Sequence, residues 1–275
     1  MSPSTRAAVA ALLLAAGLLA GCSGDPDAGG TASAGSRPSA EASGTPSTAT
    51  TDGSTAPGAS SSPSGAEVYV AVGASETVGV GADDPATEAW PRVLHERALP
   101  GSRFVDVGVS GSTLQAALAA QLPSALAARP DVVTVWLAVN DAVAGVPVAR
   151  YERQLTRLVR ALRQGGRAEV LVGNVPDLWR LPAYRACLPG NGGRPVDGVT
   201  CQLPVVPARS QVKATVTAFN AAIARVVRSQ GARLVDLARE DDLAGLTAAD
   251  GFHPSTEGHR EIARAFARVL HRAGR

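Results

Sequence analysis

From residue 66 to 275 the sequence predicts an α/β domain, a three-layer α/β/α sandwich around a five-stranded parallel sheet. Three observations carry that prediction. Short β-prone runs alternate with helical patterns along the whole segment, the signature of strands joined by helical crossovers. One run, Val132-Val133-Thr134-Val135-Trp136-Leu137, is almost continuously apolar, as a central strand covered on both faces must be. Polar segments bearing Gly, Ser, Asn and Asp directly follow three of the runs, and ligand sites of parallel sheets lie beyond the carboxyl ends of the strands.

The elements follow in order. Glu67 to Val72 is a β-prone run that ends at Gly73. Pro85 to Leu99 contains a helix, and Pro91 marks an alternative start because Pro suits a first helical turn. Arg103 to Val107 is the second strand and stops at Gly108. Leu114 to Ala127 is helix-forming, with a break or kink expected at Pro123. Asp131 to Val139 is the third strand. Tyr151, Leu155, Leu158, Val159 and Leu162 recur at helical spacing. Glu169 to Val172 is the fourth strand, and Val212, Val216, Phe219, Ile223, Val226 and Val227 mark the next helix. Arg233 to Leu237 is a short fifth strand, and Ile262, Phe266, Val269 and Leu270 give the apolar face of the last helix.

Composition narrows the functional classes. Of 275 residues, 45% are hydrophobic and 18% charged, the balance of a globular protein. Aromatics are 4%, so Val, Leu, Ala and Ile must build the interior. The formal net charge is +2, and Lys213 is the one lysine among many arginines. Those arginines are scattered along helices, without the clustered basic footprint of a nucleic-acid binder; nucleic acid is not an expected partner.

Residues 1–65 belong to targeting and tethering. Arg6 precedes an uncharged apolar stretch from Ala7 to Ala20, shorter than the roughly 20 residues that span a membrane and of the length of a signal-peptide core. It ends in Leu19-Ala20-Gly21-Cys22, which resembles a bacterial lipoprotein signal. That resemblance implies a signal peptide over residues 1–21 and lipidation of Cys22. Two or three acyl chains would hold the protein at a membrane surface, where one would not. A plain signal peptide, with Cys22 incidental and the protein secreted, is the alternative. Residues 22–65 read as a tether: Ser23 to Gly65 contains no aromatic or large aliphatic residue and cannot bury enough surface to offset its ordering entropy.

Four segments of the domain carry candidate chemistry. Gly73-Ala74-Ser75 follows the first strand and presents a hydroxyl in a tight turn; alone it is an ordinary turn. Gly108-Val109-Ser110-Gly111-Ser112-Thr113 follows the second, where glycines let backbone N–H groups approach a ligand, although the same residues suit a loop leading to a helix cap. Asn140-Asp141 follows the third: an Asn amide can donate to a developing oxyanion or simply close an Asx turn. Asp250-Gly251-Phe252-His253-Pro254 precedes the last helix. Asp and His three apart in a turn can bond carboxylate to Nδ1–H, which fixes the tautomer and leaves Nε2 to accept a proton. His95, His259 and His271 fall on helical segments without ligand spacing, so no metal site is expected.

In order and placement these segments resemble the SGNH/GDSL hydrolase family. The resemblance spans roughly Val68 to Leu270 and implies a flavodoxin-like SGNH hydrolase fold. It implies a serine esterase or lipase acting on carboxylic esters, with a catalytic triad of Ser75, His253 and Asp250. The oxyanion hole would comprise the N–H groups of Ser75 and Gly111 and the side chain of Asn140. No cofactor is implied, and the expected partner is a small-molecule, lipid or glycan ester. Ala74 stands where the family has Asp, and Ala138 where it has Gly. Carbohydrate O-deacetylation, acyl transfer and non-catalytic ligand binding by a surface lipoprotein remain alternatives within the same fold. Together with the leader, this makes the expected location the outer face of the cell membrane.

Between the fourth strand and the next helix lies an insertion, residues 176–207, rich in Pro and Gly. A loop of that length at the site end of a sheet is usually functional, here a wall or lid. Cys187 and Cys201 are the cysteines of the mature domain, and export predicts that they pair. Trp179 and Tyr184 are candidates to line the site or to pack the loop onto the domain.

Overall fold

The computed structural model describes residues 67–240 and 243–272. The expected signal peptide, the lipidated Cys22 and the tether of residues 22–65 lie outside the described residues.

Five strands form one sheet: β1 Val68–Gly73, β2 Arg103–Asp106, β3 Val132–Trp136, β4 Glu169–Gly173 and β5 Arg233–Val235. Their order is β2-β1-β3-β4-β5 and every pairing is parallel, which is the sandwich the sequence predicts. The connections reverse direction between β1 and β3, and in such a sheet a crevice opens there beyond the strand ends.

Alternation along the strands divides the core. Val70, Val72, Val133, Val135, Val170 and Val172 face one side, and Tyr69, Ala71, Val132, Trp136 and Leu171 face the other. Helices α3 (Leu114–Ala127), α5 (Val148–Arg163) and α7 (Arg209–Gln230) cover the first side. The second is covered by α2 (Trp90–Ala98) and α8 (Thr256–His271). Half of the ten aromatics gather on this second side, where Trp90 stacks on Phe266 with ring centroids 4.4 Å apart and meets Trp136 edge-on. Thr134 interrupts the apolar run of β3, and its hydroxyl is satisfied by the buried Tyr69 hydroxyl at 2.9 Å.

Several boundaries differ from expectation. Pro85 to Leu99 holds two helices, α1 (Pro85–Glu88) and α2, each with Pro in its first turn. The third strand ends at Trp136, and Val139–Val143 forms a short helix, α4; apolarity continues past Trp136 because α4 is itself buried. The fifth strand stops at Val235. Pro123 does not break α3, which runs through it. Pro123 and Ala119, whose carbonyl loses its helical donor, both lie on the exposed face, so water can serve that carbonyl while Leu122 and Ala125 remain packed.

The insertion is ordered. It contains a 3₁₀ turn at Leu178–Arg180, helix α6 (Pro182–Arg185), a second 3₁₀ turn at Pro189–Asn191 and a bridge between Val196 and Val199. A disulfide joins Cys187 to Cys201.

Candidate active site

The four motif segments meet at the carboxyl end of the sheet. Ser75 follows β1 in a turn closed by the Ala74 carbonyl, which accepts from the N–H groups of Thr77 and Val78 at 3.0 and 3.2 Å. Backbone groups alone close this turn, so Ala74 fits without the Asp of the family pattern. The chain then passes under the turn that carries His253: a Cβ on Gly81 would collide with the Pro254 carbonyl oxygen and the His253 Cβ. Only Gly allows that approach, and it brings the Ser75 loop against the His253 turn.

Within the second turn, the Asp250 carboxylate satisfies three donors. Its Oδ1 accepts from the N–H groups of Phe252 and His253 at 2.8 and 3.0 Å. Its Oδ2 lies 2.6 Å from His253 Nδ1. With a carboxylate as acceptor, Nδ1 must carry the proton, which leaves Nε2 as the basic nitrogen. Burial alone would push the Asp250 carboxyl up, but the hydrogen bonds from His253 and the Phe252 N–H outweigh it and hold it below the usual carboxylate range. Burial alone would lower His253; the bond to Asp250, with the charges of Glu76 and Asp250, more than reverses this and raises it. The imidazole is buried, whereas the Asp250 side chain is 44% exposed.

Ser75 is also buried. Its hydroxyl donates to Glu76 Oε2 at 3.3 Å; no hydrogen bond joins it to His253 among the described residues. The N–H groups of Ser75 and Gly111 likewise have no protein acceptor among the described residues, and Gly111 lies in an exposed turn. Asn140 lies in the first turn of α4 and donates one Nδ2 hydrogen to the Ser112 carbonyl at 3.0 Å. Its second amide hydrogen has no acceptor among the described residues. Ala138 precedes α4 with extended φ, a conformation open to any residue, so Gly is not required there.

Three buried residues lock this arrangement: Gln121, which the sequence reading passed over, His259, which it named without a role, and Asp141, which it named only as part of the Asn140-Asp141 segment. Gln121 on α3 accepts from the Gly73 N–H at 3.0 Å and donates to the Gly73 carbonyl at 2.9 Å and to Ser112 Oγ at 3.0 Å. One amide therefore ties the start of the Ser75 turn to the loop after β2. His259 on α8 accepts from the Trp90 N–H through Nδ1 at 3.3 Å, so Nε2 donates to the Val80 carbonyl at 3.1 Å. Asp141 Oδ2 accepts from the Leu114 N–H at 2.8 Å and so holds the start of α3. Burial raises the Asp141 carboxyl to about 6 against the lowering effect of that bond. Gln121 and His259 left only the weak signal of a polar residue at helical spacing, and Asp141 that of a carboxylate just past the third strand.

A cleft opens beside the Ser75 and His253 turns. Glu76, Phe252 and Pro254 line it together with Trp136, Leu178, Leu181, Leu243 and Ile262. Leu178 and Leu181 come from the insertion, which is therefore a wall of the cleft. The insertion also braces the imidazole turn, since the Ala183 N–H donates to the Gly251 carbonyl at 3.1 Å. Gly251 has φ +67°, and a Cβ there would strike Val199, Pro182 and the Ala183 nitrogen. Tyr184 packs the loop onto the domain: it is buried and its hydroxyl donates to the Pro207 carbonyl at 2.8 Å. Trp179 does not line this cleft but an adjoining groove with Arg180, Arg185 and Arg209, and Lys213 sits over its ring.

Comparison with known proteins agrees with this architecture. The chain resembles an extracellular lipase from Streptomyces rimosus (20% identity, 74% of this chain and 100% of that one, TM-score 0.53). It also resembles phospholipase A1 from Streptomyces albidoflavus (20% identity, 75% and 98%, TM-score 0.52). A third likeness is to the esterase EstA from a Pseudoalteromonas species (18% identity, 75% and 97%, TM-score 0.54). At these identities the likeness is one of fold. No curated protein matches the sequence. The model of the GDSL-like lipase/acylhydrolase family matches residues 71–261, a span that contains all four motif segments. The chain belongs to the GDSL-like lipase/acylhydrolase family of hydrolases.

Proposed function

We infer that the protein is a serine esterase or lipase in which Ser75 is the nucleophile, His253 the general base and Asp250 its orienting carboxylate. The observation that carries this reading is the 2.6 Å bond between Asp250 Oδ2 and His253 Nδ1, on a turn packed against the loop that bears Ser75. Ser75 Oγ attacks the ester carbonyl and its proton passes to His253 Nε2, while Asp250 stabilises the imidazolium. The N–H groups of Ser75 and Gly111 and the free amide hydrogen of Asn140 receive the oxyanion, each donor supplying ~3 kcal/mol of transition-state stabilisation. The imidazolium then protonates the leaving alkoxide. Water, deprotonated by His253, attacks the acyl-enzyme and releases the acid. The Ser75 hydroxyl must rotate from Glu76 toward His253, a tightening that substrate commonly induces in unliganded sites.

Ser75→Ala should remove hydrolysis of 4-nitrophenyl esters to the detection limit while the thermal unfolding midpoint stays within a few degrees of wild type. An active-site phosphonate should add one equivalent to the wild-type protein, on Ser75, and none to the variant. Turnover by Ser75→Ala near the wild-type rate would remove Ser75 from the mechanism. The lipoprotein-like leader supports export with Cys22 as a lipid anchor; an unmodified Cys22 peptide from the mature protein of a producing cell would refute the anchor.

A further inference from the structure

The letters of the family name spell Gly-Asp-Ser-Leu, and in this chain they fall on Gly73-Ala74-Ser75-Glu76. A carboxylate therefore follows the nucleophile where the name has a hydrocarbon side chain. Glu76 is nine-tenths buried. It lines the cleft beside the site and also a smaller cavity walled by Ala74 and residues 136–140. Its Oε2 accepts from the Ser75 hydroxyl at 3.3 Å, and its Oε1 meets no donor among the described residues. The neighbours of Glu76 around the cleft are largely apolar, among them Trp136, Val139, Leu178, Leu181 and Phe252, with Asp177 and Thr247 the other polar side chains on its wall. No Lys or Arg is among the described residues that line it.

This arrangement is a poor receptor for hydrocarbon. An alkyl chain filling the cleft would strip water from a carboxylate oxygen and return no hydrogen bond, one of the costlier events in burial. A chain bearing a hydroxyl or an ammonium group would replace that water with a charge-assisted bond while its methylenes still covered the apolar wall. A site that expects a donor rejects the analogue that lacks one far more strongly than an apolar pocket rejects an extra group. We propose that Glu76 is a specificity-determining residue, and that the cleft selects esters whose entering chain carries a hydrogen-bond donor over aliphatic esters of the same length. The proposal rests on the hydrolase reading above and names the substrate class of that site.

The test compares kcat/KM for 4-nitrophenyl hexanoate, 6-hydroxyhexanoate and 6-ammoniohexanoate in the wild type, Glu76→Leu and Glu76→Gln. The wild type should prefer the two donor-bearing esters by about tenfold or more, and Glu76→Leu should reverse that order. Glu76→Gln keeps an acceptor without the charge, so it should keep the hydroxyl preference and lose the ammonium preference. An unchanged ratio in Glu76→Leu overturns the proposal, as does a wild type that prefers the plain hexanoate. So does loss of the hydroxyl preference in Glu76→Gln, which would mark the carboxylate as structural. Binding reads the same preference without turnover. Hexanol and hexylammonium should bind Ser75→Ala more tightly than 1-chlorohexane does, and Ser75→Ala/Glu76→Leu should lose that order. Absent hydrolysis with this binding order intact would sink the hydrolase reading alone; an absent binding order would sink the specificity proposal alone.

Discussion

The two halves of the site are held by different means. The nucleophile half is fixed from inside the fold, by buried side chains that arrive from distant elements. Gln121 reaches Gly73 across 48 positions, and His259 reaches Val80 across 179. The imidazole half is fixed locally and from outside. Asp250 holds His253 across three positions. The Ala248 N–H donates to the His253 carbonyl at 2.8 Å, and the insertion adds the Ala183–Gly251 bond. The difference separates two jobs. The half that must not move is embedded in the core. The half that gains and loses a proton in the proposed mechanism stands on a turn whose carboxylate is partly open to water. Damage to the two halves should therefore appear in different measurements.

The largest effect is expected on the imidazole half. Asp250→Asn keeps the size of the side chain, but its amide can donate to His253 and thereby invert the tautomer. Turnover at neutral pH should fall by about 10³–10⁴-fold, the scale seen when a triad carboxylate is neutralised. The unfolding midpoint should move little, because among the described residues Asp250 bonds only within its own turn. Kinetics and calorimetry on one preparation test the contrast; a collapse in stability matching the lost activity would show that the turn is a structural clamp as well.

The nucleophile half should behave in the opposite way. Gln121→Ala strands the buried Gly73 N–H and removes the link to Ser112. Leaving one buried donor unpaired costs about 1–3 kcal/mol, and the vacated volume adds to this. Denaturant unfolding should show a loss of about 3 kcal/mol, accompanied by a smaller fall in kcat as the turn loosens. Gln121→Glu should recover only part of the stability, since it restores the acceptor for the Gly73 N–H but neither donor. A variant with wild-type stability and reduced kcat would reassign Gln121 from scaffold to chemistry.

The same contrast explains what the sequence made legible. The layer order, the parallel sheet and the covered central strand follow from periodicity, which is a local property. Asp250 and His253 were readable as a pair because the bond between them closes within one turn. Ser75, Gly111 and Asn140 were readable as positions because they follow strands, and a parallel sheet delivers all its strand ends to one edge. The roles of Gln121, His259 and Asp141 were not readable, although Asp141 lay in a motif segment, since each acquires its role from a partner that only the packed fold supplies. Gln121 looks like any helical Gln until α3 lies against β1. The boundary errors share a cause: apolar residues past Trp136 fit a strand or a buried helix equally well, and only tertiary packing decides between them.

Titration gives the finest form of the comparison. On the imidazole half, the raised His253 places the acid limb of the activity profile above the pH of an unperturbed imidazole. On the nucleophile half, Asp141 should appear in stability. Its carboxyl is raised by burial from an ordinary value of 3.8 to about 6, so the fold favours the protonated form. The contribution is fully present below the unfolded value and is lost as pH rises through the folded one, a window from about pH 4 to 6. Two units at 1.36 kcal/mol each, reduced for local relaxation, give about 2 kcal/mol. Asp141→Asn keeps an oxygen to accept from the Leu114 N–H but does not titrate. Relative to wild type it should therefore gain about 2 kcal/mol between pH 4 and 7 in urea unfolding, while its acid limb of activity stays where His253 sets it. A stability gap that does not change across that window would mean that Asp141 is ionised at little cost in the fold, and that the buried half of the site carries no charge penalty of its own.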